Sequence, residues 1–521
     1  MLVKTYSGAV IGIDALTVTI EVSVSRGVQF CIVGLPDTAV KESHQRVLSA
    51  IQQTGFVLPR SGVVVNMAPA DIKKEGAAYD LPIAVALMTG AQVIQTAELD
   101  KYMLLGELSL DGTLRPVNGV LPMAIEARRQ GFRGIIVPAE NATEAAVVNN
   151  LDVYGLHSLR EVVDFLTGAS APEPTQFDTR AEFARSLEQF DFDFSEVKGQ
   201  EGVKRAFEVA CAGGHNILLV GPPGSGKSML SKRLPSIMPP LTLAEALETT
   251  KIHSVAGKLK SGSKLMTRRP FRSPHHTISP VAIVGGGANP MPGEISLAHN
   301  GILFMDEFPE FPRTVLEVLR QPLEDRHITI SRARYSVEYP AGFMLVASMN
   351  PCPCGYYNHP TKECTCPPGA VAKYLGRISG PLLDRIDIQI EIQPVPFEKL
   401  SAQSAGESSA AIRERVIRAR NIQSERFAGE PEIHTNAQMN TRLITRWCRL
   451  DKASMDMLRH AMTKYDMSAR AYDRILKVAR TIADLAGSAD ITVDHICEAI
   501  SYRNLDRSSW GTKISTTTLL S

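Results

Sequence analysis

Residues 216–234 read NILLVGPPGSGKSMLSKRL, and few stretches leave a chain less freedom. Ile217 to Val220 form a short apolar run suited to a buried strand, and the residues after Ser228 take up a helical pattern. Between them, Gly221 to Ser228 matches G-x-x-x-x-G-K-S in the strand–loop–helix context that gives this motif its meaning. The glycines let backbone N–H groups converge on phosphate oxygens at a helix N-terminus. Gly221, Pro222, Pro223, Gly224, Ser225, Gly226, Lys227, Ser228 and Met229 are therefore the candidate nucleotide-binding residues. Lys227 would neutralise β/γ-phosphate charge and Ser228 would ligand Mg²⁺, so ATP and Mg²⁺ are the implied cofactors.

Three further segments complete an engine of this kind. GILFMDEF (301–308) is an apolar strand ending in two carboxylates. Asp306 would hold the Mg²⁺ shell and Glu307 would polarise the attacking water. FMLVASMNP (343–351) is another apolar strand, ending in Asn350, a group able to orient that water. RISGPLLDRIDIQIEI (377–392) supplies Arg377 and Arg385. Arg385 either reaches a neighbouring subunit's γ-phosphate or pairs locally with Asp384 or Asp387. Arg470, at the head of a long helical pattern, either reaches the phosphates from a lid or lies on the surface.

A chain of 521 residues suggests about three domains. Residues 1–168 read as an α/β domain, 169–189 as a polar, Pro-containing linker, and 190–395 as the nucleotide-binding α/β domain. Residues 396–505 read as a helical lid and 506–521 as an aperiodic tail. In the first domain the break at Arg26-Gly27 predicts a hairpin joining LTVTIEVSVS to VQFCIVG. A net charge of +1 leaves nucleic-acid contact to local basic patches. The N-terminus lacks the pattern of a secretory signal, and LPIAVALMTGAQVI is too short to span a bilayer. A cytoplasmic, reducing location, away from the membrane, is the expectation.

In that location the cysteines of NPCPCGYYNHPTKECTCPP (350–368) point to metal before disulfide. Cys352, Cys354, Cys364 and Cys366 form two C-x-C pairs separated by nine residues, with His359 in the loop. Four thiolates satisfy tetrahedral Zn²⁺ and leave no open position, so the expected role is structural. Another metal or cluster, or free redox-sensitive thiols, are the alternatives.

Taken together, the P-loop, the MDE strand, the Asn-ended strand, LLDRID and MSAR resemble an AAA+ ATPase of the magnesium-chelatase branch. FRSPHHTIS, VGGG and PMPGEISLAHNGILFMDEFPEF resemble more narrowly the ComM/YifB group of Mg chelatase-like proteins, over nearly the whole chain. That resemblance implies a ring-forming, hexameric ATP-driven motor. Its ComM members are helicases that promote branch migration while single-stranded DNA is integrated in natural transformation. Single-stranded and branched DNA, other copies of the chain and recombination proteins are the partners it implies.

The first domain resembles the Lon protease fold, which uses a Ser/Lys dyad. Here Lys74-Glu75-Gly76-Ala77-Ala78 puts alanine at the serine position, and Pro116 to Leu121 puts leucine at the lysine position. Without hydroxyl and base there is no route to peptide hydrolysis, and a non-proteolytic scaffold is expected. HITISRARYSVEY (327–339) reads as a hairpin before the Asn350 strand, and its Arg332 and Arg334 are the expected DNA-phosphate contacts. The insertion Ser273 to Pro292 is a second pore candidate. The basic run 258–272 is either an outer DNA path or a solvated face. A metal-insertion ATPase like magnesium chelatase itself, or an AAA+ remodeller of a protein partner, remain the competing functions.

Overall fold

A computed structural model describes residues 1–178, 183, 190, 192–259, 265–287, 290–332, 335–359, 361–395, 406–465 and 467–503. The fold is mixed α/β, built on two large sheets.

The first sheet has seven strands in the order β3-β4-β2-β1-β5-β8-β9. Its strands are β1 (Leu2–Ile11), β2 (Asp14–Ser25), β3 (Phe30–Val33), β4 (Gly62–Ala68), β5 (Tyr102–Leu104), β8 (Gly134–Pro138) and β9 (Asp152–Leu156). A small ribbon of β6 (Glu107–Leu108) and β7 (Leu114–Arg115) turns at Asp111-Gly112. The hairpin expected at Arg26-Gly27 does not form. β2 instead pairs with β1 through the turn at Gly12, and β4 inserts between β2 and β3, which it joins in parallel. The apolar helix Asp80–Gly90 is buried along its whole length on one face of this sheet, as an all-apolar helix must be.

The second sheet has five strands in the order β11-β14-β17-β10-β18, every neighbouring pair parallel. They are β10 (Ile217–Val220), β11 (Phe271–Arg272), β14 (Ile302–Met305), β17 (Met344–Met349) and β18 (Ile388–Glu391). Strands buried on both faces read as continuous apolar runs, which is why ILLV, ILFM and MLVASM show no alternation. One face packs against Phe207, Leu230, Val416, Ile475, Ile482 and Ile496, so the C-terminal helices share a core with the sheet. Two outlying ribbons project from this unit. One is β12 (Gly285–Gly286) with β13 (Met291–Pro292); the other is the hairpin of β15 (His327–Arg332) and β16 (Tyr335–Pro340).

The two sheets' units are joined by more than the connecting chain. Ser254 donates to the buried carboxylate of Glu144 at 2.5 Å, and the Gly119 N–H donates to Ser254 O. Leu241, Ala246 and Leu265 enter the apolar cluster beneath the first sheet, as Phe177 and Phe183 do at its margin. The stretch expected to be a linker is thus docked where it is described, and the Thr175 N–H donates to Val153 O. Its two phenylalanines supply the apolar anchor that its polar composition hides. No described helix is long and apolar enough to cross a membrane.

Candidate functional site: a nucleotide site beside a cysteine knuckle

Ligands of open parallel sheets bind at the carboxyl ends of the strands. β14, β17 and β10 are consecutive there, and each delivers part of one constellation. The loop after β10 closes at Gly221, whose N–H donates to Met349 O. A Cβ on Gly221 would stand 2.5 Å from Ile392 O, so only glycine fits. Gly226 begins the helix Lys227–Arg233 at φ 88°, a left-handed backbone that favours glycine. Ser225 Oγ fastens the turn to Pro222 O at 2.8 Å.

Lys227 Nζ donates to Gly221 O at 2.6 Å, Pro222 O at 2.9 Å and Asn350 Oδ1 at 3.2 Å. Burial lowers the pKa of its ammonium, and the nearby Asp306 opposes that shift. Ser228 Oγ donates to Asp306 Oδ2 at 2.6 Å, and the Asp306 Oδ1 accepts from Ser348. Glu307 follows at φ 54°, in the left-handed region, with its carboxylate largely exposed. Hydroxyl and carboxylate oxygens are the hard donors Mg²⁺ takes. Ser228 and Asp306 therefore fit that ion, and the glycine-built loop with Lys227 fits nucleotide phosphates. A bound Mg²⁺-nucleotide would supply the phosphoryl group and its charge neutralisation.

The arginines are placed differently. Arg385 is mostly buried, paired with Glu324 and donating to Pro381 O. Neither Asp384 nor Asp387 is its partner. Arg377 pairs with Glu310 at 2.6 Å. Arg470 is exposed and lies 3.6 Å from Asp384, on the segment that carries Arg385. Arg474, one turn on, pairs with the buried Asp387 at 3.0 Å. Arg334 lies outside the described residues, and only the backbone of Arg332 is described.

Cys352, Cys354, Cys364 and Cys366 converge, with all four sulfurs within 4.8 Å of one another. Separations of 3.3 Å (Cys352–Cys354), 3.5 Å (Cys354–Cys364) and 3.7 Å (Cys352–Cys364) are too long for disulfides. Tetrahedral Zn–S bonds of about 2.3 Å place thiolates roughly 3.8 Å apart, close to this spacing. The donor set fits Zn²⁺. The His359 ring instead faces Tyr356, and its Nδ1 accepts from Thr361 and Lys362 N–H groups.

The knuckle leans on the phosphate loop. Gly355 adopts φ 83°, and a Cβ there would meet Pro223 Cδ at 2.5 Å. Pro222, Tyr357, His359, Glu391 and Gln393 line a shallow cleft at this junction. Motif reading places the knuckle between Asn350 and Arg377; its contact with the phosphate loop, far earlier in the chain, carries no motif.

His276 is a functional candidate that motif reading missed. Its Nδ1 lies 3.3 Å from Glu307 Oε2. The HH pair in FRSPHHTIS was its only signal.

A family model described as magnesium chelatase, subunit ChlI, matches residues 193–400. Two others, for subunit ChlI of Mg-chelatase and for its C-terminal part, match residues 20–141 and 406–503. The protein YifB of Salmonella typhimurium is 45% identical over 506 residues, 96% of this chain and 97% of that protein. Competence protein ComM of Haemophilus influenzae is 44% identical over 506 residues, with the same coverage. The chain belongs to the ComM/YifB family. In this chain a Lon-like part is joined to an Mg-chelatase-like AAA+ part. Lon protease 2 of Syntrophobacter fumaroxidans matches 128 residues at 30% identity, 23% of this chain and 15% of that protein. Within this ComM/YifB chain Leu121 is fully buried on the helix Val120–Arg129, and Ala78 O accepts from the Gly106 N–H. The two positions compared with the Lon dyad, Ala78 and Leu121, are thus both apolar.

Proposed function

We propose that the chain is an ATP-driven DNA motor, a hexameric helicase that promotes branch migration while single-stranded DNA is integrated in transformation or recombination. The observation that carries this reading is the continuity of hairpin and engine. The β15–β16 hairpin ends at Pro340, and β17, after three intervening residues, delivers Ser348 and, just past its end, Asn350 beside Asp306 and Lys227. A hairpin so connected moves with the nucleotide site. The similarity to a competence protein supports the same reading. Asp306 and Ser228 would hold Mg²⁺, Glu307 polarises water and Asn350 orients it, Arg385 contributes charge at a neighbouring subunit's γ-phosphate, and Arg470 reaches the phosphates from the lid. Arg385 would first have to leave Glu324, as Arg470 would have to leave Asp384. Arg332 and Arg334 grip phosphates without reading sequence, so binding is salt-dependent. The four cysteines would hold Zn²⁺, which would staple the segment between Asn350 and Arg377.

The test is strand displacement on a three-stranded junction, with ATP hydrolysis measured with and without single-stranded DNA. DNA-stimulated hydrolysis with displacement is the expected result. Hydrolysis indifferent to DNA would favour metal insertion or protein remodelling. Replacing Arg332 and Arg334 with Ala should weaken DNA binding and spare basal hydrolysis; unchanged binding would refute the hairpin assignment.

A further inference from the structure

We infer that the turn between β1 and β2 is an abutment for the β15–β16 hairpin, so that the first domain fixes the position from which the hairpin meets DNA. The last clause rests on the reading of the hairpin as the DNA contact; the abutment itself does not.

A two-stranded hairpin is marginally stable in water on its own, so its order comes from what covers its apolar face. Pairing sets Ile328 opposite Tyr339 and Ile330 opposite Val337, and all four are buried. Thr329, Ser331, Ser336 and Glu338 alternate with them and are exposed, the pattern of a sheet with one wet face. The apolar face has two covers. One belongs to the same unit: Tyr339 Oη donates to Pro290 O at 2.6 Å, and Ile283 and Ile295 share its cluster. The other comes from the start of the chain. Ile13 packs against that same cluster, and a Cβ on Gly12 would lie 3.0 Å from Val337 Cγ1.

The turn is held stiffly. β1 and β2 pair without a break from Leu2 and Ser23 to Ile11 and Asp14, and β5 and β4 flank them in the sheet. Only Gly12 and Ile13 remain in the loop, and Gly12 takes φ 65°, the left-handed backbone for which two-residue loops favour glycine. Asp14, the next residue, pairs at 2.5 Å with Lys251 of the helix Leu243–Val255. That helix also carries Ser254, the partner of Glu144. The loop is therefore fastened on two sides, by an apolar side chain on the hairpin and by a carboxylate on the helix. Close-packed contacts yield little, so the hairpin keeps a fixed bearing against the seven-stranded sheet. This gives the Lon-like domain a task that needs no protease dyad.

The experiment is hydrogen–deuterium exchange of the full chain as wild type, Ile13→Ala and Ile13→Val, read on peptides covering β15–β16, with β14 and β17 as reference. Ile13→Ala should speed exchange across the hairpin about tenfold, the scale of losing most of a half-buried aliphatic contact, and leave β14 and β17 as in wild type. Ile13→Val keeps most of the contact and should stay near wild type. Unchanged hairpin exchange in Ile13→Ala would overturn the abutment, and so would equal acceleration in β14 and β17, which marks general loosening. In a second arm a single-stranded oligonucleotide is added. Ile13→Ala should bind it about threefold more weakly, as a hairpin less often in its binding position must, with hydrolysis in its absence unchanged. Affinity equal to wild type would overturn the role in DNA binding. The oligonucleotide should also slow hairpin exchange in wild type. If it protects nothing there while Ile13→Ala exchanges fast, the abutment stands and the DNA reading is what fails.

Discussion

The ammonium of Lys227 lies 3.2 Å from the amide oxygen of Asn350, a contact across 123 positions of chain that ties the phosphate loop to the end of the neighbouring strand. The residue proposed to grip phosphate and the residue proposed to orient water are thus coupled before any substrate is considered. Their substitutions should nevertheless separate kinetically. Asn350→Ala should leave ATP binding intact and lower kcat by about a hundredfold, the usual loss from a misplaced reacting group. Lys227→Ala should abolish hydrolysis and strand displacement while leaving some DNA binding. Parallel binding and turnover assays distinguish the two; an Asn350→Ala enzyme with normal kcat would remove the residue from the chemistry.

Gly221 makes a steric prediction. A methyl group there meets Ile392 O at 2.5 Å and Ser225 Oγ at 3.0 Å. Gly221→Ala should therefore destabilise the fold by about 1–3 kcal/mol, as overpacking does, and weaken nucleotide binding. A thermal melt checks the first effect, and an unshifted midpoint would contradict the packing.

For the four cysteines the expected outcome is one zinc per purified chain, and none after Cys352→Ser, since Cys352 is the buried member of the set. Because Gly355 presses on Pro223, losing the metal should also raise KM for ATP. Elemental analysis beside ATP titration tests both. A metal-free wild type with full activity would argue for plain thiols.

Acid should loosen the helical lid. His215 is fully buried between Asp387 (3.1 Å) and Thr481 (2.8 Å). Burial lowers its pKa despite the pull of Asp387. Burial alone would raise the Asp387 carboxyl, but Arg474 and the bond from His215 outweigh it and hold it well below the usual carboxylate range. The unfolded chain takes protons at about pH 6.5 on histidine and about pH 4 on aspartate, whereas the folded chain resists both. Stability from this pair is complete above about pH 6.5 and declines as pH falls. Thermal midpoints measured from pH 7.5 to 5.0 should drop, with a shallower slope in His215→Asn; an equal slope would remove His215 from the effect.

Most of the engine was legible because its parts are local. A glycine-rich loop between strand and helix, an apolar strand ending in Asp306-Glu307 and another ending in Asn350 each carry their meaning within a dozen residues. Convergence of the cysteines followed from their short spacing. Strand partners did not, because β4 could pair with β3 and β2 only once the sheet had assembled around it. Arg385 read as a charge with two uses, and its ion pair with Glu324, 61 positions earlier, has no local signal. The contact of His276 with Glu307 likewise joins an insertion to a strand end. Such contacts belong to tertiary packing, which one-dimensional spacing does not encode.

Gly355 belongs to the cysteine knuckle by sequence and to the phosphate loop by contact. A side chain grown at that position injures two sites with a single atom, because the wall of one is the floor of the other. Variation in the knuckle is therefore filtered twice, once by the metal its four cysteines would close around and once by the phosphate loop it must clear. A loop with no chemical step of its own is in this way held to the tolerances of the ATP site.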